Sequence, residues 1–368
     1  MKVLVLTQQY PSDNDLYKNM FVHNRIKKYM SESSDIDFNV FVLNGKKRDY
    51  TYDSVNVNSG NERELSQIIV KNDFDRIVIH FLTFRMVPVL LKYAQDIKKI
   101  VWVHGYEAIS WRRRVFNNTS PLFLKYIFGN KIQIHFFKKF VNRCRNTTFV
   151  FVSNWMKNVS EEDLNVKFKN FEIIPNGVDT SFYTKERDKS DLRRNILSIR
   201  PFGSRKYATD VIAKSILQFS KQKDFYKYNF TIIGKGKYFD KDTSDIKKFD
   251  NVKLINRFLN ADEIKSFHNK NGIFLCPTRQ DAQGVSMCEA MSSGLVPITS
   301  NNTAIPEFVN DKNSGFLTER TDDIIKGIEC VGEDEILFEK ISNAARSSIE
   351  EKCSLNDIAN LELKVIRK

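Results

Sequence analysis

Short apolar runs rich in β-branched residues alternate with longer amphipathic runs along almost the whole chain of 368 residues. Runs such as Val3–Leu6, Arg76–His80 and Val252–Ile255 are typical of buried strands, whereas Tyr207–Lys221 and Val285–Ser292 are typical of helices. Because strands and helices alternate, the pattern predicts parallel sheets that are covered by helices on both faces.

The alternation also predicts how the chain divides. At roughly 150 residues per domain, this length predicts two domains. The strand–helix pattern restarts after Lys185–Arg194, a polar stretch dense in charge. We therefore predict an α/β fold with two Rossmann-like, doubly wound domains whose parallel sheets face a central cleft. They comprise residues 1–184 and 185–368, and the last helix is expected to be able to pack back on the first domain.

Other features of the sequence exclude several classes of protein. No run of 18 apolar residues exists, which excludes a spanning helix, and the first residues are typical of a strand and not of a signal peptide. The five cysteines are scattered and never form a CxxC, so neither a disulfide framework nor a zinc site is indicated. These observations favour a reducing cytoplasm.

The loops that follow the strands are where ligands bind in open parallel sheets. The richest is CPTRQDAQGVSMCEAMSSG, residues 276–294, in which a strand ends and a helix begins at Gly284. The backbone N–H groups of Gly284, Val285 and Ser286 are suited to a phosphate or diphosphate, because they lie at the positive end of a helix.

Two carboxylates bracket that helix start. Asp281 lies three residues before Gly284, and Glu289 lies five residues after it. Carboxylates beside a diphosphate are tolerated when they face hydroxyl groups, and a nucleotide-sugar supplies hydroxyls at both ends. The alternative is an ordinary helix start with solvated acids, since a single motif is weak evidence.

Further candidates follow other strands. Arg200 and Lys206 in IRPFGSRKYATD could neutralise a diphosphate and stabilise it as a leaving group, although each alone could be a solvated surface cation. His104 in VWVHGYE is either structural or catalytic. Gly234 in IIGKGK belongs to a glycine pair that lacks the third glycine of a dinucleotide fingerprint, so NAD binding is not indicated.

Taken together, these residues resemble a retaining glycosyltransferase of family GT4, which has the GT-B fold. The similarity covers nearly the whole chain and includes the following segments: KVLVLTQQYPS, FVHNR, HGYE, VSNWM, IIPNGVDTSF, SIRPFGSRK, IIGKG, PTRQDAQGVSMCEAMSSGLVPITSNNTAIPEFV and NSGFL. The second half carries the more specific motifs, above all two carboxylates eight positions apart.

The resemblance implies a role for each candidate. Glu289 would hold the ribose hydroxyls, and Asp281, where relatives usually carry Glu, would hold hydroxyls of the transferred sugar. Arg200 and Lys206 would bind the diphosphate with the backbone of the helix start, and His104 would lie near the transferred sugar. The segment Arg257-Phe258-Leu259 would lie against the base, with Leu259 and Gly234 among the donor-binding residues.

The resemblance also implies a reaction and its partners, with the acceptor bound by the domain of residues 1–184 and the nucleotide-sugar donor by the domain of residues 185–368. The donor would be a UDP- or GDP-sugar, and transfer would retain the anomeric configuration and require no metal or other cofactor. The acceptor would be a glycan or a lipid-diphosphate-linked glycan, in the synthesis of a bacterial surface polysaccharide such as capsule or lipopolysaccharide. No nucleic acid is expected as a partner, and the sequence leaves the oligomeric state open.

The distribution of charge points to a surface. The formal net charge is +13, and no acid occurs between Glu107 and Glu161, where ten Lys or Arg residues do. Interleaved aromatic residues in this basic segment favour an anionic membrane, which would make the enzyme peripheral on the inner face of the cell membrane. For the basic segment, the alternatives are an ordinary pair of packed helices or a surface for a soluble acidic acceptor. For the whole protein, the alternatives are a nucleic-acid-binding protein, a GT-B epimerase or an inactive partner subunit.

Overall fold

The computed structural model describes residues 1–12, 18–118, 122–186 and 189–368. The chain forms two compact units, of which unit 1 comprises Met1–Ile174 and Asp357–Lys368 and unit 2 comprises Pro175–Asn356. Each unit contains a largely parallel sheet flanked by helices. The predicted α/β fold with two Rossmann-like domains is confirmed.

Unit 1 is built on an eight-stranded sheet in the order β3-β4-β2-β1-β5-β6-β7-β8, of which only β3 runs antiparallel to its neighbour. Its strands are β1 (Lys2–Thr7), β2 (Asp37–Leu43), β3 (Arg48–Tyr52), β4 (Val55–Gly60), β5 (Arg76–His80), β6 (Lys98–Val103), β7 (Thr147–Phe151) and β8 (Phe171–Ile173). Its helices before the crossover to unit 2 are α1 (Met20–Glu32), α2 (Glu62–Lys71), α3 (Met86–Tyr93), α4 (Phe123–Arg143) and α5 (Asn154–Leu164). Ser153 accepts a hydrogen bond from Met156 N at 3.1 Å and caps α5.

The hairpin of β3 and β4 was not predicted, because its sequence RDYTYDSVNVNSG is polar and lacks an apolar run. It is held by a tight turn in which Asp53 and Ser54 both have positive φ, 43° and 64°, the geometry that suits the twist of a two-residue hairpin. β3 is an edge strand without a fully buried residue. Hydrophobic patterning therefore carries no signal for it.

Unit 2 contains a six-stranded, wholly parallel sheet in the order β11-β10-β9-β12-β13-β14. Its strands are β9 (Asn195–Ile199), β10 (Asn229–Ile233), β11 (Val252–Ile255), β12 (Ile273–Leu275), β13 (Val296–Ser300) and β14 (Phe316–Thr318). Its helices are α6 (Thr209–Phe219), α7 (Phe239–Thr243), α8 (Ala261–His268), α9 (Val285–Ser292), α10 (Ile305–Phe308), α11 (Thr321–Glu333) and α12 (Glu335–Cys353). The central strands are buried on both faces, which explains why β12 is wholly apolar and why most residues of β10 and β13 are buried.

The last helix, α13 (Leu355–Arg367), packs in unit 1, where Ile358, Leu363 and Ile366 join the core beside β1 and β2. The division between the units lies after Ile174, earlier than the stretch Lys185–Arg194 at which the sequence suggested a boundary. The intervening segment packs within unit 2, since Val178 pairs with Cys353 and Leu355 through the backbone. Residues 187 and 188 of that stretch lie outside the described residues.

Within the described ranges, no helix has both the length and the apolar character needed to cross a membrane.

Candidate functional site

The strand order of unit 2 reverses between β9 and β12, so the loops after these two strands leave the sheet in opposite directions and open a crevice at its carboxyl edge. Arg200 directly follows β9. The segment from Cys276 to Gly284 follows β12 and leads into α9. Both loops that the sequence singled out therefore lie at this reversal point.

Arg200 is held rigidly at the end of β9. Its side chain is only 4% exposed, and its guanidinium donates to Pro277 O at 3.4 Å and to Ser286 Oγ at 3.5 Å. Its Nε has no hydrogen-bond partner among the described residues. Gly234 makes this placement possible, because a Cβ at that position would lie 1.9 Å from Arg200 O. Gly234 therefore contacts the backbone of the candidate site directly.

Lys206 lies in a short 3-10 helix (Arg205–Tyr207) that the Ser204 side chain caps by accepting from Lys206 N. The Lys206 carbonyl accepts hydrogen bonds from Arg279 N and Thr278 Oγ1, which tie the loop after β9 to the loop after β12. Lys206 and Arg200 both lie beside the ring of Tyr207, at 5.3 Å and 5.2 Å from its centroid. The two cations therefore contact the same ring.

Two further arginines lie in the same loops but are neutralised locally. Arg205 binds Asp242 at 2.8 Å, and Arg279 binds Asp210 through two nitrogens at 2.8 and 2.6 Å. Among the described residues, by contrast, no carboxylate forms an ion pair with Arg200. Of the cations in these loops, Arg200 thus has no carboxylate partner among the described residues, and Lys206 has only a long contact of 4.0 Å with Asp281.

Asp281 lies beside these cations, with its Oδ1 at 4.0 Å from Lys206 Nζ. Its backbone N–H donates to Thr303 Oγ1 at 3.1 Å. Two residues later, the buried Gln283 accepts from Asn176 N at 2.7 Å and donates to Asn176 O at 3.0 Å. These contacts hold the loop between β12 and α9 in place, and the 16% exposure of the Asp281 side chain leaves it accessible.

The start of α9 has the predicted geometry. Gly284 has φ +82°, a left-handed conformation that favours glycine, and Val285 begins the helix. Because the first backbone N–H groups of a helix have no intrahelical partner, Gly284, Val285 and Ser286 present donors at the positive end of α9. The Arg200 guanidinium contacts Ser286 at this end, which adds a full positive charge.

Glu289 projects from α9 one and a half turns further along. It is partly buried, and the structure records no hydrogen bond to its carboxylate from the described residues. Burial raises the pKa of Glu289 to about 7. A carboxylate in such a place gains from a ligand that donates hydrogen bonds to it.

The remaining donor candidate, Leu259, lies between β11 and α8 and is partly buried. Its neighbour Phe258 is 64% exposed, and Arg257 forms an ion pair with Glu263 at 2.6 Å. The recorded contacts of the described residues do not join Leu259 to the side chains at the start of α9. Its role stays a prediction.

His104 belongs to unit 1, where it directly follows β6. Its backbone N–H donates to Glu107 Oε1 at 2.6 Å, and its Nε2 lies 3.0 Å from Nδ1 of the fully buried His80. Burial and the nearby Arg25 lower the pKa of His104 well below its usual range. The imidazole is therefore neutral at physiological pH and can act as a hydrogen-bond donor or acceptor.

Sequence reasoning missed the residues that position the site. Gln283, Asp210 and Asp242 are ordinary polar residues in the sequence, and their partners lie far from them along the chain. His80, at the end of β5, could have been noticed as a second histidine after a buried strand. The described residues contain no group of three or more His, Cys, Asp or Glu side chains arranged to hold a metal ion.

The charge of the basic segment requires a correction. Residues 108–160 contain no acid. The acids of α5 that directly follow this range nevertheless lie beside its cations. Arg113 forms ion pairs with Glu162 at 2.6 Å and Asp163 at 2.9 Å, and Lys157 pairs with Glu161 at 3.2 Å. The uncompensated charge is therefore smaller than the sequence count indicates, and its exposed part includes Lys125 and Lys131 on α4.

Two family models and one curated relative match this chain. The model of glycosyl transferases group 1 matches residues 182–348, and that of glycosyltransferase family 4 matches residues 21–182. An uncharacterized glycosyltransferase of Methanocaldococcus jannaschii is 25% identical over 339 residues, which cover 87% of this chain and 84% of the relative.

Solved structures show the same fold. Sucrose-phosphate synthase of Thermosynechococcus elongatus superimposes with a TM-score of 0.76 at 11% identity, covering 100% of this chain and 98% of the other. Anabaena HepE, solved in complex with UDP and glucose, superimposes with a TM-score of 0.73 at 12% identity, covering 100% of both chains.

Two Rossmann-like units of this kind form the GT-B fold, which the solved structures share. This chain belongs to the GT4-like glycosyltransferases, since the two family models match adjoining segments that together span residues 21–348.

Proposed function

We propose that the protein is a retaining, metal-independent glycosyltransferase that moves a sugar from a UDP- or GDP-sugar to a glycan or lipid-linked acceptor. The observation that carries the proposal is the arrangement at α9. Arg200 and Lys206 lack full local neutralisation and lie beside the free N–H groups of a helix start. UDP in the HepE structure supports a nucleotide donor for this chain as well.

The same arrangement supports a mechanism. As the anomeric C–O bond to the diphosphate breaks, negative charge accumulates on the leaving phosphate, and Arg200, Lys206 and the helix start stabilise it. The departing phosphate oxygen takes the proton of the acceptor hydroxyl on the same face of the sugar, so the configuration is retained. Asp281 positions sugar hydroxyls, Glu289 accepts from the ribose, and the neutral His104 contacts the transferred sugar.

The site predicts that Lys206→Ala lowers turnover at least about a hundredfold, since preorganised charges at a leaving group are worth several kcal/mol. The fold should persist, because the backbone carbonyl that accepts from Arg279 and Thr278 remains. The measurement is release of UDP or GDP from a panel of nucleotide-sugars in EDTA, with NMR of the product anomer. The matched control is Lys235→Ala, since Lys235 follows β10 in a neighbouring loop of unit 2.

Three outcomes would contradict the proposal. Unchanged turnover in Lys206→Ala would show that the proposed diphosphate site is wrong. A product of inverted configuration would exclude retention, and activity that returns only when Mg²⁺ or Mn²⁺ is added would exclude metal independence.

We also propose that α4 faces an anionic membrane on the cytoplasmic side, where a surface polysaccharide such as capsule or lipopolysaccharide is assembled. The side chains of Leu124 and Phe128 are 79% and 70% exposed, and they lie one turn apart on the same face of the helix. Lys125 and Lys131 are exposed beside them. Exposed apolar side chains next to lysines suit the interface of an anionic bilayer.

Lys125→Glu/Lys131→Glu should therefore weaken binding to vesicles of equal parts phosphatidylglycerol and phosphatidylcholine by about tenfold or more, since each lysine contributes on the order of 1 kcal/mol. Arg113 is left unchanged because its ion pairs with α5 would break. The control is Arg143→Glu/Arg145→Glu, which changes the charge equally at and just beyond the last residue of α4, and Arg143 lies about 27 Å from Lys125 and about 18 Å from Lys131 at 1.5 Å per residue. Equal losses in both variants, or no binding by the unmodified protein at low salt, would contradict the membrane proposal.

A further inference from the structure

Unit 1 has a reversal point of its own, between β1 and β5, and aromatic rings gather there. Phe81 directly follows β5, Tyr106 lies three residues after β6, and Phe21 lies in the first turn of α1. The ring centroid of Phe81 lies 4.5 Å from His104, 5.7 Å from Tyr106 and 5.8 Å from Phe21. We call these four residues the aromatic platform.

The platform is not an ordinary part of the core. Phe21 is 41% exposed and Tyr106 is 37% exposed, whereas the aromatic residues beneath the sheet edge, such as Trp102, are fully buried. The rings of Phe81 and Tyr106 are nearly parallel, at 21° to each other. Apolar rings that lie partly in solvent at a reversal point are placed to meet a ligand.

The backbone at Phe81 supports this reading. Its φ is +59°, a left-handed conformation that is unusual for a bulky side chain and easier for Gly or Asn. Because Gly or Asn would form this turn more easily, the turn alone does not explain the phenylalanine at this position. Residues with an unfavourable backbone conformation are concentrated at functional sites.

Polar groups border the rings. Gln8 lies in the loop after β1, and its amide donates to Tyr106 Oη after β6 and, at 3.4 Å, to Phe81 O after β5, which joins the three loops. The His104 ring lies against Phe81, and because its Nε2 is engaged by His80, the nitrogen left for a ligand is Nδ1. The platform thus combines stacking faces with an amide and an imidazole at its border.

We propose that the aromatic platform binds a pyranose ring of the acceptor, whose C–H face stacks on Phe81 and Tyr106 while its hydroxyls meet the Gln8 amide, so that Nδ1 of His104 is left for the transferred sugar. A pyranose has one apolar face and a rim of hydroxyls, which matches this combination, whereas an aliphatic chain offers nothing to the polar border. This inference rests on the proposed function and narrows the acceptor to one whose receiving end is a sugar.

The test is ligand-observed NMR on the full chain with methyl β-D-glucopyranoside and methyl β-D-galactopyranoside. Phe81→Asn removes the ring and keeps a residue that tolerates the left-handed backbone. We expect it to weaken binding of at least one pyranoside about tenfold or more, the size of effect expected when a stacking ring is lost. The control is Phe84→Asn, since Phe84 is 42% exposed in the same loop but contacts Phe136 instead of the platform.

Several results would overturn the proposal. These are no pyranoside binding by the unmodified protein, equal binding by Phe81→Asn, or binding of octanoate in place of the pyranosides at the same rings. If Phe81→Asn does not fold, Tyr106→Leu decides the question, because Tyr106 is more exposed and its loss removes the second stacking face.

UDP titration separates this inference from the proposed function. The platform lies in unit 1 and the candidate donor site in unit 2, so Phe81→Asn should bind UDP normally. Absence of UDP or GDP binding in the unmodified protein would refute the donor proposal, while the pyranoside titration would still decide whether the platform binds a sugar.

Discussion

Glu289→Gln is expected to weaken binding of the nucleotide-sugar at least about tenfold and to stabilise the protein at pH 8. A carboxylate that accepts from two ribose hydroxyls makes charge-assisted hydrogen bonds worth about 1.5–3 kcal/mol, and a neutral amide cannot replace both. Without bound donor, however, the buried negative charge of Glu289 destabilises the folded state.

The sign of the stability effect follows from the pKa. Burial raises the pKa of Glu289 from its ordinary 4.5 to about 7, so the folded state holds a proton that the unfolded state has released. The stability due to that proton is complete below about pH 4.5 and is lost as the pH rises through 7. Each pKa unit corresponds to 1.36 kcal/mol. The change in the free energy of unfolding caused by Glu289→Gln should therefore be more favourable at pH 8 than at pH 5, by up to about 3 kcal/mol.

The measurement is urea unfolding by circular dichroism at both pH values, together with calorimetric titration of UDP or a UDP-sugar. Glu351→Gln is the matched control, because Glu351 is exposed on α12 of the same unit. The unmodified protein should also bind the donor more weakly at pH 6 than at pH 8, since the ionised form accepts the hydroxyls. Normal donor affinity in Glu289→Gln would show that Glu289 does not bind the ribose.

Glu362→Gln should destabilise unit 1 by about 3–5 kcal/mol, the range found when one partner of a buried ion pair is removed. Glu362 lies on α13 and is 1% exposed, and its carboxylate binds the Arg25 guanidinium at 2.9–3.0 Å. Tyr29 Oη donates to the same group at 2.5 Å and Trp102 Nε1 at 3.3 Å. Glutamine would leave the charge of Arg25 without its counter-charge.

Tryptophan fluorescence reports on this unit specifically, because Trp102, Trp111 and Trp155 all lie in unit 1. Glu32→Gln breaks the exposed pair of Lys28 and Glu32 on α1 and should cost less than about 0.5 kcal/mol. The double variant Arg25→Met/Glu362→Met should be more stable than Glu362→Gln, since it leaves no buried charge unpaired. An unfolding midpoint unchanged in Glu362→Gln would show that α13 is not held by this pair.

The regular elements could be predicted wherever apolar residues follow the period of a strand or helix. Arg76–His80, Val252–Ile255 and Val285–Ser292 have the predicted bounds, because each lies in a core that requires that pattern. The hairpin of β3 and β4 depends instead on the turn at Asp53 and Ser54 and on pairing between polar strands. The turn and the edge strand β3 leave no periodic signal, and β4 shows only the short alternation of its buried Val55 and Val57.

The candidate site could be predicted in its loops but not in its electrostatics. Arg200, Arg205, Lys206 and Arg279 look equivalent in the sequence, and only the fold brings Asp242 to Arg205 and Asp210 to Arg279. Likewise, the pKa of Glu289 depends on the burial that folding imposes, and the left-handed backbone of Phe81 cannot be read from its side chain.

The return of α13 to unit 1 has a consequence during synthesis. Residues 357–368, which supply Ile358, Leu363 and Ile366 to the core of unit 1, leave the ribosome only after the 182 residues of unit 2. At about 5–20 residues per second, the strands of unit 1 wait roughly 10–40 s for the helix that covers them. During that interval, unit 2 can complete its own core while the apolar surface around Val3 and Val40 stays open to chaperones, so the domain that begins first finishes last.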